Sequence, residues 1–246
     1  MVTTQWGDPT TVWHGPVVGL PAGEGGRGFR TAAGGADTVL LGMAYDSDPR
    51  FRVLHALRIK GFAKVDVLSD LSAVGPDEVE QHLADFQTDE IALFREARAL
   101  WQLTPKGREV HAEQLASESD VVRPLVAPHY PGFLELNEAF KELCGDWQLR
   151  GGAPNDHTDA AHDEAVIGRL LEIDSQAQPV VIAVGSEVTR MAPYAPRLSS
   201  TAQKVAEGDH QLFTGVMCGS YHDVWMELHE DLILTLGIDR AKEGSF

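Results

Sequence analysis

The chain has 246 residues, 43% of them hydrophobic, and its 37 acidic and 20 basic side chains give a net charge of −17. This charge opposes general attraction to nucleic acid or to anionic membranes. No apolar run approaches the roughly eighteen residues that span a bilayer, and no segment resembles a signal peptide, so we expect a cytoplasmic protein without a membrane partner. The two cysteines, Cys144 and Cys218, are far apart and are expected to be free thiols.

Glycine is concentrated in the first 42 residues, which contain ten of them. This segment has no helical or strand periodicity, so we expect a disordered or mis-assigned N-terminal extension, with Met43 as an alternative translation start. Gly23, Gly25 and Gly28 match G-x-G-x-x-G, but no apolar helix opens at these glycines, as dinucleotide binding requires. We therefore expect no nucleotide and no other cofactor.

Three amphipathic helices are predicted after this segment. The first runs from Pro49 to Lys60 and is stopped by Gly61. The second is shorter, and the third begins at Pro76, because proline suits the first position of a helix. Their core faces are Phe51, Leu54 and Leu57 in the first helix, Val65, Leu68 and Leu71 in the second, and Val79, Leu83 and Phe86 in the third.

A β-hairpin followed by a helix is predicted next. The apolar runs Leu93-Phe94 and Leu100–Leu103 flank the polar stretch 95–98, which is typical of a hairpin with a solvated tip. Thr104 can cap the following helix through its hydroxyl, and Pro105 suits that helix's first position.

This order of elements, ending in Leu-Thr-Pro-x-Gly-Arg, resembles the winged-helix domain of MarR-type bacterial transcriptional regulators over about a quarter of the chain. The resemblance implies a winged helix-turn-helix domain at residues 43–120, with three helices and a β-hairpin wing. Its third helix would enter the major groove of DNA while the wing straddles a neighbouring backbone. The expected DNA contacts are Lys60, Lys64, Gln81, Arg95, Arg98, Lys106 and Arg108.

The charge of the third helix opposes this interpretation. Residues 77–90 contain six acids and no Lys or Arg, and residues 49–118 contain nine basic against twelve acidic side chains. DNA affinity depends largely on cations that displace counterions from phosphate. A winged helix used for protein contacts is therefore the alternative, since the fold alone does not decide between the two uses.

The rest of the chain is predicted to be helical. Pro124, Pro128 and Pro131 suggest a stiff linker at residues 121–130, followed by an all-α bundle at 131–246. Helices are expected from about 133 to 150, from the capping residues 155–159 to Pro179, from 180 to 191, where a buried strand is the alternative, and from Pro196 onward. The last one, 221–236, is closed by Gly237.

Six residues of this bundle are predicted to line a pocket for a small anionic or aromatic ligand: Trp147, Arg150, His157, His222, Trp225 and His229. A divalent metal is an alternative, because His222 and His229 share a helix face and His157 or His162 would complete the site. Helix capping is the stronger explanation of residues 155–159, so we expect no metal. The acids at 223, 227, 230 and 231 are expected to form a solvated stripe.

The segments LNEAFKELCGDWQLRGG, NDHTD and SYHDVWMELHEDLILTLG resemble a helical domain that accompanies winged helices in actinobacterial proteins. HALRIKGFA resembles a segment attached to some pyruvate, phosphate dikinase-type enzymes. Neither resemblance implies a catalytic residue, and no G-x-S-x-G or C-x-x-C motif is present.

We therefore predict a non-enzymatic, MarR-like transcriptional regulator with a C-terminal domain that forms a homodimer or senses a small-molecule effector. The alternatives are a winged-helix interaction module, partnering a phosphoenolpyruvate-utilising enzyme, and a metal-dependent helical enzyme.

Overall fold

The computed structural model describes residues 44–239, which are mainly helical with a small three-stranded antiparallel sheet. No helix in this range is both long and apolar enough to cross a membrane. The N-terminal extension, its glycine motif and the Met43 start lie outside the described residues.

The three predicted helices at the start of this range are confirmed. Helix α1 spans Pro49–Lys60, and the Asp48 carboxylate caps it by accepting from the backbone N–H groups of its first turn. Gly61, with a φ of 72°, ends it. Helix α2 spans Val65–Ser72 and α3 spans Pro76–Thr88.

The predicted hairpin consists of β2, Ala92–Arg95, and β3, Leu100–Leu103, joined by a 3₁₀ turn. A third strand, β1, spans only Phe62–Ala63 and pairs antiparallel with β3, so that β3 is central. Strand β1 was not predicted, because two residues are too few to show strand alternation.

The predicted linker at residues 121–130 is wrong. Helix α4 spans Pro105–Val126 and contains Pro124, and a 3₁₀ turn at Ala127–His129 leads into α5, Tyr130–Gln148. The end of α4 stays helical because Val122 and Val126 are fully buried in the core. Burial of these side chains outweighs the backbone hydrogen bond that proline removes.

The predicted helix end at Pro179 is also wrong. Helix α6 runs without interruption over Ala160–Glu187, because Val181 and Val184 beyond the proline are buried while Pro179 itself is exposed. The segment from 180 is therefore helix and not strand.

A short hairpin lies between α5 and α6. Its two strands have two residues each, β4 at Leu149–Arg150 and β5 at Ala153–Pro154, and they pair antiparallel.

Three helices complete the described chain. Helix α7 spans Tyr194–Ala206, α8 is the short Gln211–Thr214, and α9 spans Tyr221–Leu236. Gly237, in the left-handed conformation, closes α9 as predicted.

One hydrophobic core runs through the described residues. Helix α9 packs against both α1 and α4, and buried residues from α1 to α9 form a single cluster. Before α1, Tyr45 is held by backbone hydrogen bonds to Glu187 and Thr189. Residues 44–239 therefore form one compact unit, in which the region predicted as a winged helix and the region predicted as a bundle share a core.

Candidate functional site

The outward face of α3 is acidic. Asp77, Glu78 and Glu80 are exposed in its N-terminal half, and the helix contains no Lys or Arg. Gln81, a predicted DNA contact, is exposed as well, but its amide donates to the Asp85 carboxylate at 3.2 Å. This face therefore carries negative charge without a Lys or Arg of its own, although His82 Nε2 lies 3.6 Å from Glu78 Oε1.

Two cationic side chains, Arg50 and Lys106, interact with the C-terminal end of α3. Arg50 Nη2 donates to Asp89 Oδ2 at 2.9 Å, and its guanidinium lies 4.6 Å from the ring centroid of Phe86. Lys106 Nζ donates to the Asp89 carbonyl at 2.7 Å, where a cation is favoured by the helix dipole. Lys106, a predicted DNA contact, thus stabilises a helix end.

The predicted cations of the hairpin region are placed differently. Arg95 and Arg98 are exposed at the tip of the β2–β3 hairpin, and Arg108 is exposed in the first turn of α4. None of these three makes an ion pair with another described residue. Lys64, at the start of α2, is exposed too.

Lys60 was predicted to contact DNA, but its side chain is paired inside the protein. Its Nζ atom lies 2.6 Å from Oε1 of Glu227 in α9, and its side chain is only 17% exposed. Glu227 is itself buried, contrary to the predicted solvated stripe. A buried carboxylate requires a paired cation, which explains why Lys60 points to α9.

The six predicted pocket residues do not form one cavity. Trp147 and His157 do meet, with ring centroids 4.5 Å apart, and His157 Nδ1 lies 3.0 Å from Asp163 Oδ2. Arg150 is exposed and pairs with Asp159, the N-cap of α6. These contacts fix the turn between α5 and α6.

The other three pocket residues lie on α9. Trp225 is fully buried, and its Nε1 donates to Asn137 Oδ1 at 2.9 Å. His229 is also buried, with its ring 5.2 Å from that of Phe133. Both are core residues because α9 is covered on several sides. His222 is half-buried, and burial lowers the pKa of its imidazole.

Within residues 44–239, no group of three or more His, Cys, Asp or Glu side chains is arranged to hold a metal ion. Of the two thiols, Cys218 is exposed, whereas burial raises the pKa of Cys144 to about 12.

A buried polar cluster, which the sequence analysis missed, surrounds Arg190. The Arg190 guanidinium donates from Nε to Glu118 Oε1 at 2.7 Å and from Nη2 to Thr235 Oγ1 at 2.6 Å. Its Nη1 pairs with Asp231. All four side chains are buried, so α4, α9 and the 3₁₀ turn Thr189–Met191 are joined by charge-assisted hydrogen bonds. We refer to these residues, together with His55, His111 and Tyr194, as the Arg190 cluster.

Asp231 is the shared acceptor of this cluster. His55 Nε2 lies 3.1 Å from Asp231 Oδ1, and the Tyr194 hydroxyl donates to Oδ2 at 3.2 Å. Burial by itself raises the pKa of Asp231, but the charges of Arg190 and His55 hold that pKa below its usual range. Asp231 is therefore an ionised carboxylate inside the protein, not part of a solvated stripe.

One signal of the cluster was present in the sequence. Asp231 lies three residues after Leu228 and directly before Leu232, at the edge of the apolar stripe of α9, and His55 lies between two buried residues of α1. Polar residues within an apolar stripe indicate buried partners. The partners come from distant parts of the chain, so the sequence does not indicate which residues they are.

No protein-family model matches this chain, and neither does any curated protein or solved structure.

Proposed function

We propose that this protein is a non-enzymatic regulator containing a MarR-like winged-helix module, and that this module recognises a basic surface on a partner protein. The element order α1–β1–α2–α3–β2–β3 and the central position of β3 support the winged-helix assignment. In this arrangement α3 occupies the recognition position and the β2–β3 hairpin is the wing.

The proposal of a basic protein partner rests on the acidic face of α3. A recognition helix in the major groove lies between two phosphate backbones, where Asp77, Glu78 and Glu80 would be repelled. The same three carboxylates complement a surface rich in Lys and Arg, because opposite potentials favour encounter and fix the orientation of a complex.

DNA binding is the second candidate. Arg95, Arg98 and Arg108 favour it, since they are exposed, make no ion pair within residues 44–239, and would supply phosphate contacts from the wing and from α4. In this case the wing carries the affinity and α3 contributes little.

Fluorescence anisotropy with two labelled probes, a Lys/Arg-rich peptide and a mixed-sequence DNA duplex, separates the candidates. The protein-recognition proposal expects the triple variant Asp77→Asn, Glu78→Gln, Glu80→Gln to weaken peptide binding at least tenfold. The control variant Glu113→Gln, Asp120→Asn, Glu172→Gln removes the same number of exposed charges elsewhere and should change affinity less than about twofold.

DNA binding would give the opposite pattern. The wild type would bind the duplex with steep salt dependence, and Arg95→Ala with Arg98→Ala would reduce the slope by about one to two units. Equal effects of the triple variant and its control on the peptide would refute recognition through α3.

A further inference from the structure

A groove of about 860 Å³ lies between two parts of the fold. One side is formed by the end of α1, β1 and α2, and the other by α7 and α9. Helix α2 packs against α1 and α7 packs against α9, while α1 and α9 contact each other. The groove therefore has the α1–α9 contact as its floor and has α2 and α7 as its walls. Its volume falls in the range that holds a drug-sized molecule.

The charged side chains on the floor of the groove are paired with one another. Glu227 accepts from Lys60 at 2.6 Å and from Arg197 Nη2 at 2.7 Å, so one carboxylate joins α1, α7 and α9. Arg197 Nη1 makes no hydrogen bond with a described residue, so the guanidinium retains unused donors. The floor is fixed in geometry and carries a small excess of positive charge.

The two walls carry opposite charges. Asp66 and Asp70 lie four residues apart on α2, and both line the groove. On the opposite wall, Arg197 and Lys204 lie seven residues apart on α7, two helical turns along the same face. Asp66, Asp70 and Lys204 are exposed, and none of them makes an ion pair with another described residue.

The remaining charged lining residues reduce this difference between the walls without reversing it. Lys64, an exposed cation at the start of α2, offsets one of the two aspartates on the acidic side. Asp223 of α9 is occupied, because its Oδ2 atom accepts the backbone N–H groups of Cys218 and Gly219 at 3.0 Å. His222 lies in the groove with a pKa lowered by burial, so its imidazole is neutral at neutral pH and adds no charge.

Apolar side chains also line the groove. Phe62 is 41% exposed and Met217 is 76% exposed, although both are large hydrophobic residues. Val67 and Met226 also line the groove and are partly buried. Exposed apolar side chains concentrated at a groove mark a binding surface, because covering them removes apolar area from water.

We propose that this groove binds a zwitterion with an apolar body, its ammonium group toward Asp66 and Asp70 and its carboxylate toward Arg197 and Lys204. Short apolar peptides with free ends and free apolar amino acids both have this chemistry. A peptide of about three residues is about 10 Å long when extended, and it fits the volume better than a single amino acid does. The site is independent of what α3 recognises.

Isothermal titration calorimetry with the full chain and trileucine tests the proposal. Four further probes distinguish the determinants: N-acetyl-trileucine, trileucine amide, the doubly capped peptide, and free leucine. Trileucine should bind, and loss of either end charge should weaken binding at least tenfold. Tighter binding of free leucine than of trileucine would assign the site to an amino acid.

Matched variants locate the binding. Asp66→Asn with Asp70→Asn should weaken trileucine at least tenfold and leave N-acetyl-trileucine unchanged, whereas Lys204→Gln should weaken trileucine and leave the amide unchanged. These positions are exposed, so the fold should be retained. Asp120→Asn and Glu172→Gln, exposed acids outside the groove, serve as controls. Equal binding of the doubly capped peptide and trileucine, or no heat with any probe at millimolar concentration, would overturn the proposal.

Discussion

Nδ1 of His55 lies 2.9 Å from Nε2 of His111, in the buried contact between α1 and α4. The two rings are stacked, with centroids 5.1 Å apart. A hydrogen bond between two imidazoles requires one nitrogen with a proton and one without, so both rings cannot be charged together. Burial, with the nearby His55 as a smaller cause, lowers the pKa of His111 to about 3. His111 is therefore neutral at physiological pH.

This relationship predicts that acid destabilises the protein through His111. In the unfolded chain a histidine binds a proton near pH 6.5, whereas folded His111 does so only near pH 3. Between these values the unfolded state holds more protons, so stability falls as pH falls. We expect a loss of about 2 kcal/mol from His111 between pH 7 and pH 5.

Urea denaturation of the wild type and of His111→Gln at both pH values measures this loss. The variant starts less stable, because it disturbs the pair with His55, but its stability should decline less between the two pH values. An equal decline in both proteins would show that His111 is not the group that titrates.

The Arg190 cluster predicts a large difference between buried and exposed ion pairs. Arg190→Met leaves the carboxylates of Glu118 and Asp231 buried without their cation, and we expect a loss of about 3–5 kcal/mol. Arg169→Met removes the pair with Asp146, in which both side chains are about half exposed, and should cost less than about 1 kcal/mol. The measurement is the free energy of unfolding in urea at pH 7. Similar losses in the two variants would contradict the assignment of Arg190 as a buried, ionised partner.

Gly107, in the first turn of α4, is predicted to be required for full stability of the fold. A Cβ atom at Gly107 would lie 2.0 Å from the backbone oxygen of Ile91, the carbonyl that also accepts from the Thr104 backbone N–H. Because backbone cannot move aside cheaply, Gly107→Ala should lower the unfolding free energy by more than about 2 kcal/mol. Gly168→Ala is the control, since no atom of the described residues lies within 4 Å of its added Cβ atom in α6. Alanine should be neutral there or stabilise by up to about 1 kcal/mol, as helix propensity predicts. A thermal melt of the two variants would refute the steric argument if their midpoints coincided.

The two cysteines are predicted to react at different rates. Cys218 is exposed, whereas burial raises the pKa of Cys144 to about 12 and leaves almost no thiolate at pH 8. A chromogenic disulfide reagent should therefore modify one thiol per native chain rapidly and the second only in denaturant. Cys218→Ser should abolish the rapid phase, and its survival in that variant would show that Cys144 is accessible.

Local sequence determined the elements whose signals lie within a few residues. The Pro49 start of α1, the Pro76 start of α3 and the Thr104-Pro105 start of α4 are where the sequence predicts them, because capping and proline preferences act over one helical turn. The same holds for the solvated hairpin tip, where residues 95–98 form a polar stretch, and for the acidic face of α3, which lies opposite the apolar stripe of that helix.

Tertiary structure decided the features that depend on distant partners. Pro124 and Pro179 lie inside helices because buried residues on either side keep those helices intact: Val122 and Val126 around the first proline, and Ala177 and Val181 around the second. Glu227 and Asp231 have the spacing of a solvated stripe and are nevertheless buried, because Lys60 and Arg190 reach them from other parts of the chain. A helix pattern specifies which residues share a face but not what covers that face. The charge of a buried carboxylate is tolerated only where the fold brings it a cation.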